Sequence, residues 1–263
     1  METEGHISTF YAIMNEKILH IFSLEGKAAV ITGTSRGNGR AIAQSYADAG
    51  AIVYGIQRVG GVKDARIKFL EVDVTDKKAV GAAITQIVKE VGHIDILVNN
   101  AGISVGSQSS EKYSEEDWDK TYETNLKAIF LLSQQVARVM IKQKSGVIIN
   151  ITSINAEQGF PNNPAYVAFK GGLKQLTKAF AYDLGKYNIR VNNLGLGYFK
   201  TDMTKKSWDD PKLRRARANH TLLGRWGDAD DLIGPAIFLA SDASRYITGI
   251  DLYVDGGWLA KGI

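Results

Sequence analysis

The chain has 263 residues, 44% of them hydrophobic, with 27 glycines and no cysteine; it can bury one large core and has no means for disulfides, thiolate catalysis or cysteine-ligated metals. Its net charge of +4 comes from 32 basic residues interleaved with 28 acidic ones, which argues against nucleic-acid binding, and His6, His20, His93 and His220 are scattered without ligand spacing, so no metal site is expected. No run reaches the roughly 18 apolar residues of a membrane span, and the first 22 residues, with Glu2, Glu4 and Glu16, do not read as a secretory signal, so a soluble cytoplasmic protein without a membrane partner is expected.

At the start of the chain, Ile7, Phe10, Tyr11, Met14, Ile18 and Leu19 recur at helical spacing. They predict an amphipathic extension over 1–22, ahead of one domain over 23–263, packed on that domain or on a neighbouring subunit. Its polar face is not basic, which disfavours a membrane-surface helix. From Lys27 onward, short Val/Ile-rich runs alternate with longer amphipathic segments. The pattern predicts strands near 27–32, 51–56, 67–72, 94–98, 146–151, 189–194 and 250–254, with helices near 38–49, 76–91, 114–144, 164–187 and 228–240. Strands buried on both faces and joined by helical crossovers define an α/β, doubly wound, seven-stranded parallel sheet with helices on both faces. Only about ten residues, around VGGVKDARIK, separate the second and third strands. That is too short for a covering helix, and it predicts a thinly covered sheet there.

The first strand-to-helix turn reads TGTSRGNG, with Gly33, Gly37 and Gly39 between strand AAVIT and the next helix. Glycines at such a turn allow positive φ and let backbone approach a pyrophosphate, whose charge meets the helix N-terminus. Gly33, Ser35, Arg36, Gly37, Asn38 and Gly39 are therefore the candidate dinucleotide cradle. At the end of the second strand, an acid would accept from an adenosine ribose hydroxyl and repel a 2′-phosphate. Here stand Gln57 and Arg58, with Arg36 in the turn nearby, so NADP is favoured and NAD remains possible. Further on, AYVAFK places Tyr166 and Lys170 at spacing i, i+4 on one helix face. A cation beside a phenol favours the phenolate and makes a proton-transfer group. Taken alone, such a pair is more often a coincidence of the surface.

The spaced set Thr32 to Gly39, Asn99-Asn100-Ala101-Gly102, Asn125, Ser153, Tyr166 and Lys170 resembles the short-chain dehydrogenase/reductase family over about residues 23–258. The resemblance implies a single Rossmann-like domain and hydride transfer between a nicotinamide and a secondary alcohol or ketone. It also implies catalytic roles: Tyr166 as acid-base, Ser153 bonded to the reacting oxygen, Lys170 on the nicotinamide ribose, and Asn125 beside a proton path to Lys170. By the same resemblance, Asp73 and Val74 contact the adenine, although Asp73 could equally cap the next helix. Asn99 stabilises the central sheet, Asn100, Ala101 and Gly102 line the cofactor, Gly197 belongs to the loop under the nicotinamide, and Thr201 meets its carboxamide or a phosphate. One departure stands in NNLGLGYFKT, where Leu196 replaces the usual proline, predicting a loop with less pre-organisation.

Substrate loops are expected at Ile103 to Tyr113, Ile154 to Ala165 and after Thr201. Their Ser104, Gln108, Asn155, Glu157, Gln158 and Asn162 suit a hydroxylated or keto substrate. Lys205, Lys206, Lys212, Arg214, Arg215 and Arg217 fit either an acidic substrate or a solvated basic helix. The C-terminal run GRWGDADDLIGPAIFLASDASRYITGIDLYVDGGWLA resembles the gluconate 5-dehydrogenase and 2-deoxygluconate 3-dehydrogenase branch of the family. The alternatives are a 3-oxoacyl thioester reductase and a non-catalytic cofactor-binding regulator. A homotetramer is expected, because Ile129, Leu132, Val136, Phe169, Leu173 and Leu176 lie on more helix faces than one sheet can cover, and the strand GIDLYVDGG resembles the family's second interface.

Overall fold

The computed structural model describes residues 16–60 and 64–261. A helical stretch over 16–22 (α1) precedes β1 (Ala28–Thr32), α2 (Gly37–Asp48), β2 (Ile52–Gln57), β3 (Ile67–Glu71), α3 (Lys77–Val91) and β4 (Ile96–Asn99). There follow α4 (Glu115–Tyr122), a π-helical turn (Glu123–Lys127), α5 (Ala128–Gln143), β5 (Gly146–Ser153), α6 (Pro164–Leu184) and β6 (Ile189–Leu196). The chain ends through α7 (Lys205–Asp209), α8 (Pro211–His220), α9 (Asp230–Ala240) and β7 (Asp251–Val254).

The strands form one parallel sheet in the order β3-β2-β1-β4-β5-β6-β7, as the alternating pattern predicts. Because the order reverses between β1 and β4, a crevice opens at the C-terminal ends of those two strands. Two apolar layers flank the sheet. One seats α2 and α9 through Ile42, Tyr46, Leu232 and Leu239. The other seats α3, α5 and α6 through Ile84, Ile87, Leu132, Val136, Met140 and Leu184. The strand residues alternate between the two layers, Ile31 and Val98 on one side and Val30 and Leu97 on the other.

Local signals set the helix ends. Asp76 caps α3 by accepting from the Lys78 and Ala79 amides, and Gly92 closes that helix in the left-handed region at φ 83°; a cap of this kind contributes about 1 kcal/mol. Asn163 caps α6, with Pro164 in its first turn, where a missing N–H is harmless. The helix expected over 114–144 is not uniform. Its middle opens into the π-helical turn, which carries Asn125, a local irregularity that apolar spacing does not record.

Between β2 and β3 no helix occurs among the described residues, in keeping with the short connection, whose residues 61–63 lie outside the described part. Arg66 instead ties this edge to α2 by hydrogen bonds to Asp64 (2.9 and 3.0 Å) and Asp48 (2.5 Å). Of the amphipathic start, Ile7, Phe10, Tyr11 and Met14 lie outside the described residues. Ile18 and Leu19 are exposed and Ile21 is half-buried.

The apolar residues expected to need a subunit partner do not need one. Ile129, Leu132, Val136, Phe169 and Leu173 are all buried within the single chain, and Leu176 is partly so. What α4, α5 and α6 leave exposed is a different set, Trp118, Tyr122, Phe130 and Tyr182. No described helix is long and apolar enough to cross a membrane.

Candidate active site

Two sides of the site meet at the sheet crevice. On the cofactor side, β1 ends in Thr32, whose Oγ1 accepts from the backbone amides of Asn100 (3.0 Å) and Ala101 (2.9 Å). Asn100 Nδ2 donates to the carbonyls of Thr32 (2.9 Å) and Gly33 (3.2 Å). The ends of β1 and β4 are thereby stitched into one floor. Gly33 and Gly37 adopt φ of 73° and 56°, a region open to glycine. A Cβ on Gly39 would lie 2.2 Å from Asn100 Nδ2 and 2.3 Å from the Gly33 carbonyl. The first turn of α2 has no capping side chain, so its free N–H groups and their partial positive charge face this floor.

This cradle fits a dinucleotide pyrophosphate. Ser35 and Asn38 are half-buried in the same turn, and Arg36 is exposed. Gly37 lies against Thr201, whose Cγ2 is 3.4 Å from where its Cβ would be, so the loop after β6 closes on the turn after β1. Val74, Ala101 and Thr32 line a small cavity beside Asn99. Gly102 packs between Asn125 and Lys170, 3.4 Å from Asn125 Oδ1 and 3.8 Å from Lys170 Nζ, measured from its would-be Cβ.

At the end of β2, Gln57 is buried, and its Oε1 accepts from the Thr34 hydroxyl at 2.8 Å. Thr34 was not legible as a partner from spacing alone. Arg58 and Arg36 are both exposed, and each already has an acid, Asp73 at 4.0 Å and Asp202 at 3.2 Å. Exposed pairs of this kind are weak, about 0–1 kcal/mol, and leave both guanidinium groups able to turn to a phosphate. Asp73 does not cap α3. It accepts from the Thr75 amide (2.9 Å) and hydroxyl (2.7 Å). Burial opposes its ionisation, but the Thr75 bonds and Arg58 outweigh it and hold the carboxyl below the usual range.

On the reacting side, Ser153 ends β5, buried and paired in register with Leu196 of β6. Tyr166 lies in the first turn of α6, and Lys170 one turn on, with Nζ 5.6 Å from the phenol ring centroid. Lys170 is buried and donates to the Ile151 carbonyl at 2.7 Å. Burial lowers its pKa to about 8. Tyr166 is pushed up, by burial first, with a Ser153 hydrogen bond opposing and the neighbouring Tyr198 adding to the rise. In this structure burial governs the phenol, rather than the relief that a nearby lysine was expected to bring. Asn125, in the π-helical turn, accepts from the Ile103 amide and donates to the Ile103 carbonyl, both at 2.8 Å.

Leu196 changes the expectation drawn from the missing proline. It continues β6, packs in the core and pairs with Val254, while Gly197 N–H donates to the Val254 carbonyl at 3.0 Å. The strand ladder holds the backbone that proline would have fixed through φ. Gly197 is needed for clearance, since its Cβ would meet Asp255 Cα at 2.7 Å.

Among the substrate loops, Asn163 Nδ2 pins the segment before α6 to Ser104 Oγ at 2.7 Å. Asn155 is buried with its Oδ1 lacking a partner. Glu157 is not available to substrate, because it binds Lys174 and the Tyr253 hydroxyl. Among the described residues no cluster of three or more acidic or histidine side chains could hold a metal.

The sheet order, the glycine cradle at its switch point and the Ser153, Tyr166 and Lys170 arrangement define a nicotinamide-dependent oxidoreductase site. A family model described as enoyl-(acyl carrier protein) reductase matches residues 33–259. The chain is 39% identical to 2-dehydro-3-deoxy-D-gluconate 5-dehydrogenase of Escherichia coli (strain K12), covering 93% of this chain and all of that one. It is 39% identical to gluconate 5-dehydrogenase of Gluconobacter oxydans (strain 621H), over 90% and 96% of the two chains. Among solved structures, a gluconate 5-dehydrogenase from Burkholderia cenocepacia J2315 in complex with NADP and tartrate superposes with a TM-score of 0.89 at 38% identity, over 93% of this chain and 100% of that one. This chain belongs to the short-chain dehydrogenase/reductase family, and it is an NAD(P)-dependent oxidoreductase acting on CH–OH and C=O groups.

Proposed function

We propose that this protein carries out reversible, NADP-dependent oxidation of a secondary alcohol on a polyhydroxylated sugar acid. The observation that supports it most is the seating of Tyr166 one helical turn before Lys170 and beside Ser153, at the crevice where the strand order reverses. When bound, the nicotinamide accepts the hydride in oxidation and supplies it in reduction. Tyr166 Oη holds the proton that goes to the carbonyl oxygen or comes from the alcohol. Ser153 Oγ bonds the same oxygen and fixes its position. Lys170, charged at neutral pH, binds the ribose hydroxyls and favours the phenolate against the burial that disfavours it. Asn125 fixes the backbone next to Gly102 on the Lys170 side, where protons can pass to solvent.

Gly33, Ser35, Arg36, Gly37, Asn38 and Gly39 hold the pyrophosphate, Gln57 and Arg58 the adenosine ribose with its phosphate, and Asp73 and Val74 the adenine. Asn100, Ala101, Gly102, Gly197 and Thr201 enclose the nicotinamide. The NADP and tartrate complex of the B. cenocepacia relative and the polar lining of the substrate loops support a hydroxylated acid over a 3-oxoacyl thioester. In this reading the protein is cytoplasmic and homotetrameric.

A panel of D-gluconate, 5-keto-D-gluconate, neutral ketoses and acetoacetyl thioester, followed by absorbance of the reduced cofactor, tests the assignment. Sugar acids with NADP(H) are expected to give the highest kcat/KM, and Tyr166→Phe to abolish turnover while NADPH still binds. A preference for the thioester, or Tyr166→Phe activity within tenfold of the parent, overturns it.

A further inference from the structure

Of the six cations in the segment after Thr201, the structure sets one apart. Lys205 pairs with Asp209 at 2.6 Å, and Lys206, Lys212, Arg214 and Arg215 are exposed. Arg217, on α8, turns inward. Its Cζ stands 4.1 Å from the ring centroid of Tyr198 and 5.7 Å from that of Phe160.

These two rings put Arg217 against the loops that flank the reacting centre. Phe160 belongs to the loop that runs from Ser153 into the first turn of α6, where Tyr166 sits, and Tyr198 follows Gly197 at the end of β6. Tyr198 acts electrostatically on Tyr166. Trp258 and His220 complete the wall, with ring centroids 4.9 Å (Tyr198 to Trp258) and 4.2 Å (His220 to Trp258) apart.

Within this wall two donors are buried and unpaired. Arg217 Nε and Trp258 Nε1 have no hydrogen-bond partner among the described residues, and no carboxylate forms a salt bridge with Arg217 there, although Arg36, Arg58, Arg66 and Arg225 each have one. A buried donor left unsatisfied is destabilising, the more so on a charged group. A ligand that brings two acceptor oxygens and a negative charge removes that cost. A carboxylate does so, and its planar pair of oxygens matches the guanidinium fork. The Tyr198 and Phe160 rings, 4.1 and 5.7 Å from the Arg217 Cζ, add cation–π attraction that holds the guanidinium in place.

We infer that Arg217, with the Trp258 indole N–H, is the carboxylate-recognition site of the substrate pocket, and that it selects acids over neutral sugars. The inference rests on the sugar-acid reading above. Arg217 sets substrate choice and takes no part in proton or hydride transfer.

The test compares 5-keto-D-gluconate with L-sorbose, the neutral ketose that carries a hydroxymethyl group where the acid has its carboxylate. In the wild type, kcat/KM is expected to favour the acid. Arg217→Gln is expected to reduce that ratio at least tenfold through KM for the acid, and Arg217→Lys to restore part of it. An unchanged ratio, or equal losses on both ketoses, overturns the assignment. Binding of D-gluconate, read by quenching of tryptophan fluorescence, decides the matter separately from turnover. If the wild type reduces neither ketose, the functional reading fails alone. Quenching that is then lost in Arg217→Gln upholds the carboxylate site, and quenching that is equal in both proteins, or absent from both, overturns it.

Discussion

Lys170 holds a positive charge where the surroundings oppose one. It is 4% exposed, its Nζ has a single carbonyl partner in Ile151, and burial lowers its pKa from 10.5 to about 8. A shift of that size corresponds to about 3 kcal/mol of penalty on the charged form. The folded state binds this proton more weakly than the unfolded chain does. The penalty is therefore complete below pH 8 and fades as the pH rises from about 8 toward 10.5. Replacing Lys170 by Met should remove it, raising the stability of the cofactor-free protein at pH 7 by on the order of 1–3 kcal/mol while abolishing turnover. Calorimetry of the two proteins at pH 7 and pH 10 checks this. The gain should shrink at the higher pH, and a destabilised variant at pH 7 would show that the lysine supports the fold instead. The sequence made Lys170 and Tyr166 visible because both sit on one helix face. It could not show that burial, rather than their mutual charge, sets their titration, because that depends on side chains distant in the chain, such as Tyr198.

At the scale of elements, the turn between β1 and α2 is the most constrained backbone in the site. Gly39 is in ordinary helical conformation, so φ does not demand glycine there. The demand comes from Asn100 and the Gly33 carbonyl, which would meet a Cβ at 2.2 and 2.3 Å. Neither can retreat, since Asn100 is bonded to both Thr32 and Gly33. Gly39→Ala should destabilise the fold by about 1–3 kcal/mol and weaken NADPH binding more than tenfold; thermal unfolding and fluorescence titration would measure the two, and parental values for both would remove Gly39 from the cradle. Strands and long helices were legible from periodicity, because burial on one or both faces writes period 2 or 3.6 into the chain. The π-helical turn was not, since one extra residue shifts the apolar stripe only locally. The pairing of α7 and α8 with the aromatic wall was equally hidden, because the contacts of Trp208 with Trp226, of Arg217 with Tyr198 and of Tyr198 with Trp258 are tertiary and follow no helical or strand period.

For the whole molecule, the proposed tetramer rests on the helices and terminal strand that the sequence points to, but on other residues of the helices. Phe130 and Tyr182 are exposed on α5 and α6, and Tyr246 and Ile250 lead into β7 at the free edge of the sheet. Light scattering should give four times the 28.7 kDa chain mass. Phe130→Lys should reduce it to two or one chains, and a stable monomer of the parent at micromolar concentration would end the proposal. Within each chain, Asn99, Asn150, Asn193 and Asp251 stand at one register level on four adjacent strands. Their side chains are linked by bonds from Asn99 to Asn150 (2.8 Å), Asn150 to Thr177 of α6 (2.8 Å), Thr177 to Asn193 (2.6 Å) and Asn193 to Asp251 (2.8 Å). This row makes the order of assembly matter during folding. Until α6 brings Thr177 into place, the strand amides are left without their partner in an otherwise apolar layer, so a collapsed chain with α6 undocked gains little. A slip of one residue in β5 or β7, where Asn150 and Asp251 have apolar neighbours on both sides, turns the polar side chain to the opposite face and breaks the row. The polar row thus proofreads strand alignment as the sheet closes, and the helix that completes it is the one that carries Tyr166 and Lys170.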